Sequence, residues 1–170
     1  LYVLIAALGP ISGAHFNPVV SLVMARRGDL PSSDIGPYTA AQIAGGCLGT
    51  FIAHAMFALP VLAISATQRT GLAQWFAEFI ATFGLLATIL GTARAKPDAI
   101  PLSVGLYITA AYWFTASTSF ANPAVTIARA LTPTFSGIAP ADVLPFIAAQ
   151  ILGAIAAAAV FSWLYAASRR

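Results

Sequence analysis

Ser12-Gly-Ala-His-Phe-Asn-Pro-Val-Val-Ser-Leu and Phe120-Ala-Asn-Pro-Ala-Val-Thr each hold an Asn-Pro pair, Asn17-Pro18 and Asn122-Pro123, 105 residues apart. Asparagine is a favoured N-cap. Proline is favoured at the first helical position, where its missing N–H leaves no helical bond unmade. Each pair therefore reads as a helix start. The first helix runs from Pro18 to Ala25, ahead of Arg26; the second runs from Pro123 to Leu131, ahead of Thr132-Pro133. About 20 apolar residues are needed to cross a bilayer, so both are predicted to be half-helices.

The surroundings of these pairs are those of a membrane protein. Of 170 residues, 59% are hydrophobic and 8% charged, against about a quarter charged in soluble domains. Ile35 to Gln68 carries no charge, Thr70 to Ala93 only Glu78, and Ala99 to Ala128 and Val143 to Ser168 none. A spanning segment must satisfy its own backbone, and these runs lack the alternation of a barrel strand. The expected fold is all-α, with Ile35–Phe57, Trp75–Ala93, Pro101–Thr115 and Val143–Tyr165 each crossing once. Arg26, Arg27, Arg94, Lys96, Arg169 and Arg170 then share one side, which the positive-inside rule makes cytoplasmic. The net charge of +3 is thus placed for topology, and no nucleic-acid surface is implied. Cys47, the single cysteine, lies among Gly45, Gly46 and Gly49, where helices approach closely; it is read as a packing residue, with no disulfide framework or cysteine metal site.

The chain repeats itself beyond the Asn-Pro pairs. Pro37-Tyr-Thr-Ala-Ala-Gln-Ile-Ala-Gly matches Pro145-Phe-Ile-Ala-Ala-Gln-Ile-Leu-Gly 108 residues on. Three crossings separate the copies, so the first half-helix enters from the cytoplasmic side and the second from outside. Inverted repeats of this kind place a solute path near the midplane. Each half-helix brings about half a positive charge to that point, and this field, with the two amide donors, opposes cations. Glu78 precedes Asn122 by 44 residues, and the same step back from Asn17 falls upstream of Leu1. The expectation is one channel domain over 1–170: a partial first repeat (1–58) lacking the first transmembrane helix and the start of the second, and a complete second repeat (71–168).

The two Asn-Pro segments resemble the signature loops of aquaporins and glycerol facilitators, and Trp75-Phe-Ala-Glu-Phe-Ile-Ala-Thr-Phe resembles that family's fourth helix. The resemblance implies six helices with two re-entrant half-helices, one pore per subunit and a homotetramer. It makes Asn17-Pro18-Val19 and Asn122-Pro123-Ala124 the pore motifs. Glu78 would orient loop backbone, and His15 would lie beside the cytoplasmic pore entrance. The implied partners are the lipid bilayer, water and small neutral solutes, with no cofactor.

The chain departs from the family at the outer filter. The arginine usual three residues after the second asparagine is here Val125, which should widen the constriction and make it less polar. Arg129, one turn further on, is expected to reach back over the mouth. Ser119 matches a second filter position. For a third, counting forward from Gly105 selects Tyr112 and counting back from Asn122 selects Ala110; Tyr112 is taken because a helix holds register better than a loop. The fourth lies upstream of Leu1. Thr126 stands where glycerol facilitators usually carry aspartate, and Val19 where the first motif usually has alanine. His54 reads as polar packing.

Other functions fit less well. A secondary transporter would bring coupling groups, yet Glu78 is the only acid within an expected span. An intramembrane enzyme would need paired aspartates, a nucleophile elbow or histidines at ligand spacing, none of which occurs. A third alternative is a product that conducts nothing, because a half-helix without its cover would turn polar backbone toward lipid. The expected location is the plasma membrane, as a multi-pass protein of the bacterial inner membrane.

Overall fold

The computed structural model describes residues 1–167, so Ser168, Arg169 and Arg170 lie outside the described residues. Seven α-helices follow one another, and no strand occurs among the described residues: α1 (Tyr2–Ser12), α2 (Pro18–Arg27), α3 (Ile35–Met56), α4 (Leu72–Ala95), α5 (Ile100–Phe114), α6 (Pro123–Arg129) and α7 (Pro140–Ala167). Single 3₁₀ turns at Ser32–Asp34 and Pro97–Ala99 lead into α3 and α5. α4 and α7 are each long and apolar enough to cross a membrane. The 22 residues of α3 rise about 33 Å, long enough to span the hydrocarbon core, but α3 is not among the helices apolar enough to cross by composition.

Large apolar side chains lie on the outside as well as in the core, and several polar side chains are buried inside. Leu48 and Ile52 of α3 and Leu144, Leu152, Ile155 and Trp163 of α7 are exposed, whereas Ser21, Glu78, Thr82, Ser117, Thr126 and Gln150 are fully buried. That arrangement fits a lipid environment, where polar groups must find partners within the protein.

The packing follows the repeat. α3 packs on α6, while α7 packs on α2, so each long helix that follows a half-helix also supports the half-helix of the other repeat. α4 packs most extensively with α7, and α1 with α5. The α4–α7 seam depends on Gly153: a Cβ there would overlap the Phe79 carbonyl and sit 3.1 Å from the Phe83 nitrogen. On the other side Gly46 lets α6 approach, with Ala128 Cβ 3.3 Å from where its own Cβ would be.

Element boundaries differ modestly from the sequence reading. α6 stops at Arg129 instead of continuing to Leu131. There the chain turns so that the Ala130 carbonyl accepts from Ser65 N and the Arg129 carbonyl from Ile138 N, bonds that a continued helix would forbid. α2 runs to Arg27 and is closed by Gly28 at φ 86°, a conformation that favours glycine. Arg26 and Arg27 line a groove with Leu90 and Tyr165, and Arg94 stacks on the Tyr165 ring. Of the expected cytoplasmic cations, Arg26, Arg27 and Arg94 thus collect at one end of the bundle.

Candidate functional site

The two asparagines meet. Asn17 Nδ2 donates to the Ala121 carbonyl at 2.7 Å, and Asn122 Nδ2 donates to the Phe16 carbonyl at 2.8 Å. Each Oδ1 caps its own helix, from Val19 N at 3.1 Å and from Ala124 N at 2.9 Å. The amide planes are therefore fixed from both sides, and α2 and α6 face each other with their N-termini. With ten and seven residues they are about 15 and about 10 Å long, together close to the roughly 30 Å hydrocarbon core.

The loops ahead of them share one backbone path. Gly13, Ala14 and Phe16 have φ of 72°, 46° and 51°; Thr118, Ser119 and Ala121, each 105 positions later, have 62°, 50° and 50°. Five of these six are not glycine, and such conformations cost about 1–3 kcal/mol each, so both loops must be held from outside. The second is held by Glu78, which is fully buried. Its Oε1 accepts from Ser117 Oγ at 2.6 Å and Phe120 N at 2.8 Å, and its Oε2 from Ala121 N at 2.8 Å and Gln150 Nε2 at 2.6 Å. Gln150 also donates to Thr126 Oγ1 at 2.8 Å. The repeat-related pair does likewise, Gln42 Nε2 donating to Ser21 Oγ at 3.0 Å. His15 Nδ1 lies 3.1 Å from the same Ser21 Oγ.

A cavity of about 740 Å³ runs beside both motifs, lined among others by His15, Phe16, Gln42, Ala124 and Val125. Pro18 and Pro123 sit at the first helical positions, and Val19 and Ala124 behind them are buried, each 2% exposed. Of the residues assigned to the filter, Val125 lines this cavity and Ser119 is buried with its Oγ unpartnered among the described residues. Tyr112 borders a separate groove between α1 and α5 and is close enough to Arg69 to act on its charge. The Arg129 guanidinium lies back along α6, its Cζ 4.2 Å from the Phe120 ring centroid. His54 is buried between Thr132 Oγ1 at 2.8 Å and the Val61 carbonyl at 3.2 Å.

Sequence reasoning missed Arg69, in the α3–α4 connection. Its Nε donates to the Gly137 carbonyl at 2.7 Å, Nη1 to Ser117 at 3.0 Å and Nη2 to Phe135 at 3.0 Å, while its backbone N–H donates to Asp142 Oδ2 at 2.7 Å. It stands 4.9 Å from the same Phe120 ring as Arg129. Burial lowers its pKa from the usual arginine value, and Glu78 and Tyr112 oppose that shift. The one signal available was its isolation, as the only charge between Asp34 and Glu78.

The sequence is similar to those of known proteins. The family model described as Major intrinsic protein matches residues 1–120 and 96–170. The chain is 57% identical over 169 residues to the aquaglyceroporin AqpS of Rhizobium meliloti, covering 99% of this chain and 72% of that protein. It is 34% identical to a probable aquaporin AqpM of Archaeoglobus fulgidus, covering 95% and 69%, and 33% identical to aquaporin NIP1-3 of rice, covering 96% and 57%. A doubled, reciprocally bonded Asn-Pro motif in an all-helical membrane fold and a family match along the whole chain lead to one conclusion: this chain belongs to the major intrinsic protein family.

Proposed function

We propose that the chain is a passive channel for water and small uncharged solutes, including polyols and neutral metalloid hydroxides, which pass between Asn17 and Asn122. The reciprocal amide–carbonyl pair carries this reading. A primary amide has two N–H donors; one of each is engaged by the opposite loop, so the other can turn to a passing oxygen. Two helix N-termini at the same level repel cations. The names of the relatives, aquaglyceroporin and aquaporin, agree with such a channel. The reading assigns no catalytic residue and no cofactor, makes 1–58 and 71–168 the two repeats of one domain, and places a homotetramer in a bacterial inner membrane. Flux independent of ion gradients would separate it from a secondary transporter.

Selectivity on this reading is set by Val125, Ser119, Tyr112 and Arg129 at the outer end, with His15 beside the inner one. Val125 replaces a rigid cation with five donors by a short apolar side chain, so solutes larger than water gain room. In proteoliposomes followed by light scattering, Val125→Arg should lower the glycerol-to-water permeability ratio about tenfold, the factor worth one charge-assisted hydrogen bond. An unchanged ratio would remove Val125 from the filter.

A further inference from the structure

We propose that Arg69 is a positioning residue for the outer constriction: it occupies the carbonyls of Gly137, Ser117 and Phe135 and thereby leaves Arg129 as an unsatisfied donor for solute oxygen. The proposal rests on the channel reading above and adds a residue from outside both motifs.

Three observations support it. Arg69 is 8% exposed and spends Nε, Nη1 and Nη2 on the carbonyls of Gly137, Ser117 and Phe135. Arg129 shares the Phe120 ring with it, yet its buried Nη1 has no hydrogen-bond partner among the described residues. Ser119, 5% exposed and one residue before Phe120, has an Oγ that is equally unpartnered. The sole ion pair among the described residues is Arg27–Asp29 at the other end of the bundle, so no carboxylate neutralises either guanidinium by direct contact.

A guanidinium carries five donors and no acceptor, and a buried donor left unmet seeks the nearest oxygen. The carbonyls of Gly137, Ser117 and Phe135 are held by Arg69, which shares the Phe120 ring with Arg129. Attraction to the ring face keeps Arg129 in place without consuming its N–H groups. What remains is a cation held over the Phe120 ring with an unmet donor, and an unmet hydroxyl on Ser119, the residue before Phe120. Such a pair fits a neutral solute that offers both a lone pair and an O–H, such as a polyol. The cation supplied in this family by the residue at position 125 would here come from one turn further along α6, oriented by the α3–α4 connection.

Arg69→Lys tests the idea because it preserves the charge but not the planar three-way fork. Released carbonyls should then capture Arg129. In proteoliposomes Arg69→Lys and Arg129→Ala should each lower the glycerol-to-water permeability ratio by about three- to tenfold, and the double variant should match Arg129→Ala alone. Effects that multiply in the double variant, or an Arg69→Lys ratio equal to wild type, would overturn the proposal. So would an Arg69→Lys that lowers thermal stability and all fluxes together with the ratio unchanged, since that is a purely structural role. Wild-type flux no faster than empty liposomes would instead overturn the channel reading, and this proposal with it.

Discussion

Glu78→Gln is expected to abolish solute flux and to lower the melting temperature in detergent by about 10 °C. The buried carboxylate faces four donors, namely Ser117 Oγ, Phe120 N, Ala121 N and Gln150 Nε2. Glutamine keeps one acceptor oxygen and turns an NH₂ toward the others, so about two donors lose their partner. Unmet buried donors cost about 1–3 kcal/mol each, and they would be added to a loop already holding Thr118, Ser119 and Ala121 at positive φ. The loop should relax, and Asn122 should move with it. A proton-relay role for Glu78 would give the opposite pattern, with altered flux and unchanged melting. Thermal unfolding with parallel flux assays distinguishes the two.

Asn122→Asp should convert a neutral-solute path into one that leaks cations. The carboxylate can still cap α6 through the Ala124 and Val125 N–H groups. It cannot donate to the Phe16 carbonyl, and it places a negative charge where two helix N-termini meet. Charge of either sign at such a constriction sets which ions enter. Sodium flux into proteoliposomes should rise by at least about tenfold, the effect of only about 1.4 kcal/mol on the barrier. Sodium flux at the wild-type level would mean that Asn122 does not face the path.

The sequence made the pivotal features readable because they depend on local chemistry. An asparagine N-cap followed by proline specifies a helix start wherever it falls, and its recurrence with Pro37–Gly45 and Pro145–Gly153 specifies a duplicated unit. Glu78 stood out as the one acid in an apolar run. Its hold on backbone N–H groups came from the family resemblance, because backbone partners leave no trace in residue identity. Arg69 escaped notice for the same reason: all three acceptors of its side chain are carbonyls of residues remote in sequence. α6 ends two residues before the sequence predicts because the bonds that stop it, to Ser65 N and Ile138 N, come from segments that composition marks only as loops. The choice between Tyr112 and Ala110 turned on loop length, which a single sequence constrains poorly.

Solute passage between the tips of α2 and α6 is the central claim. Glycerol entry into proteoliposomes, measured for wild type beside Val125→Trp, tests this most directly. Entry should be fast through wild type and reduced to that of empty liposomes when the indole fills the cavity beside Ala124. Equal glycerol entry through both proteins would contradict it.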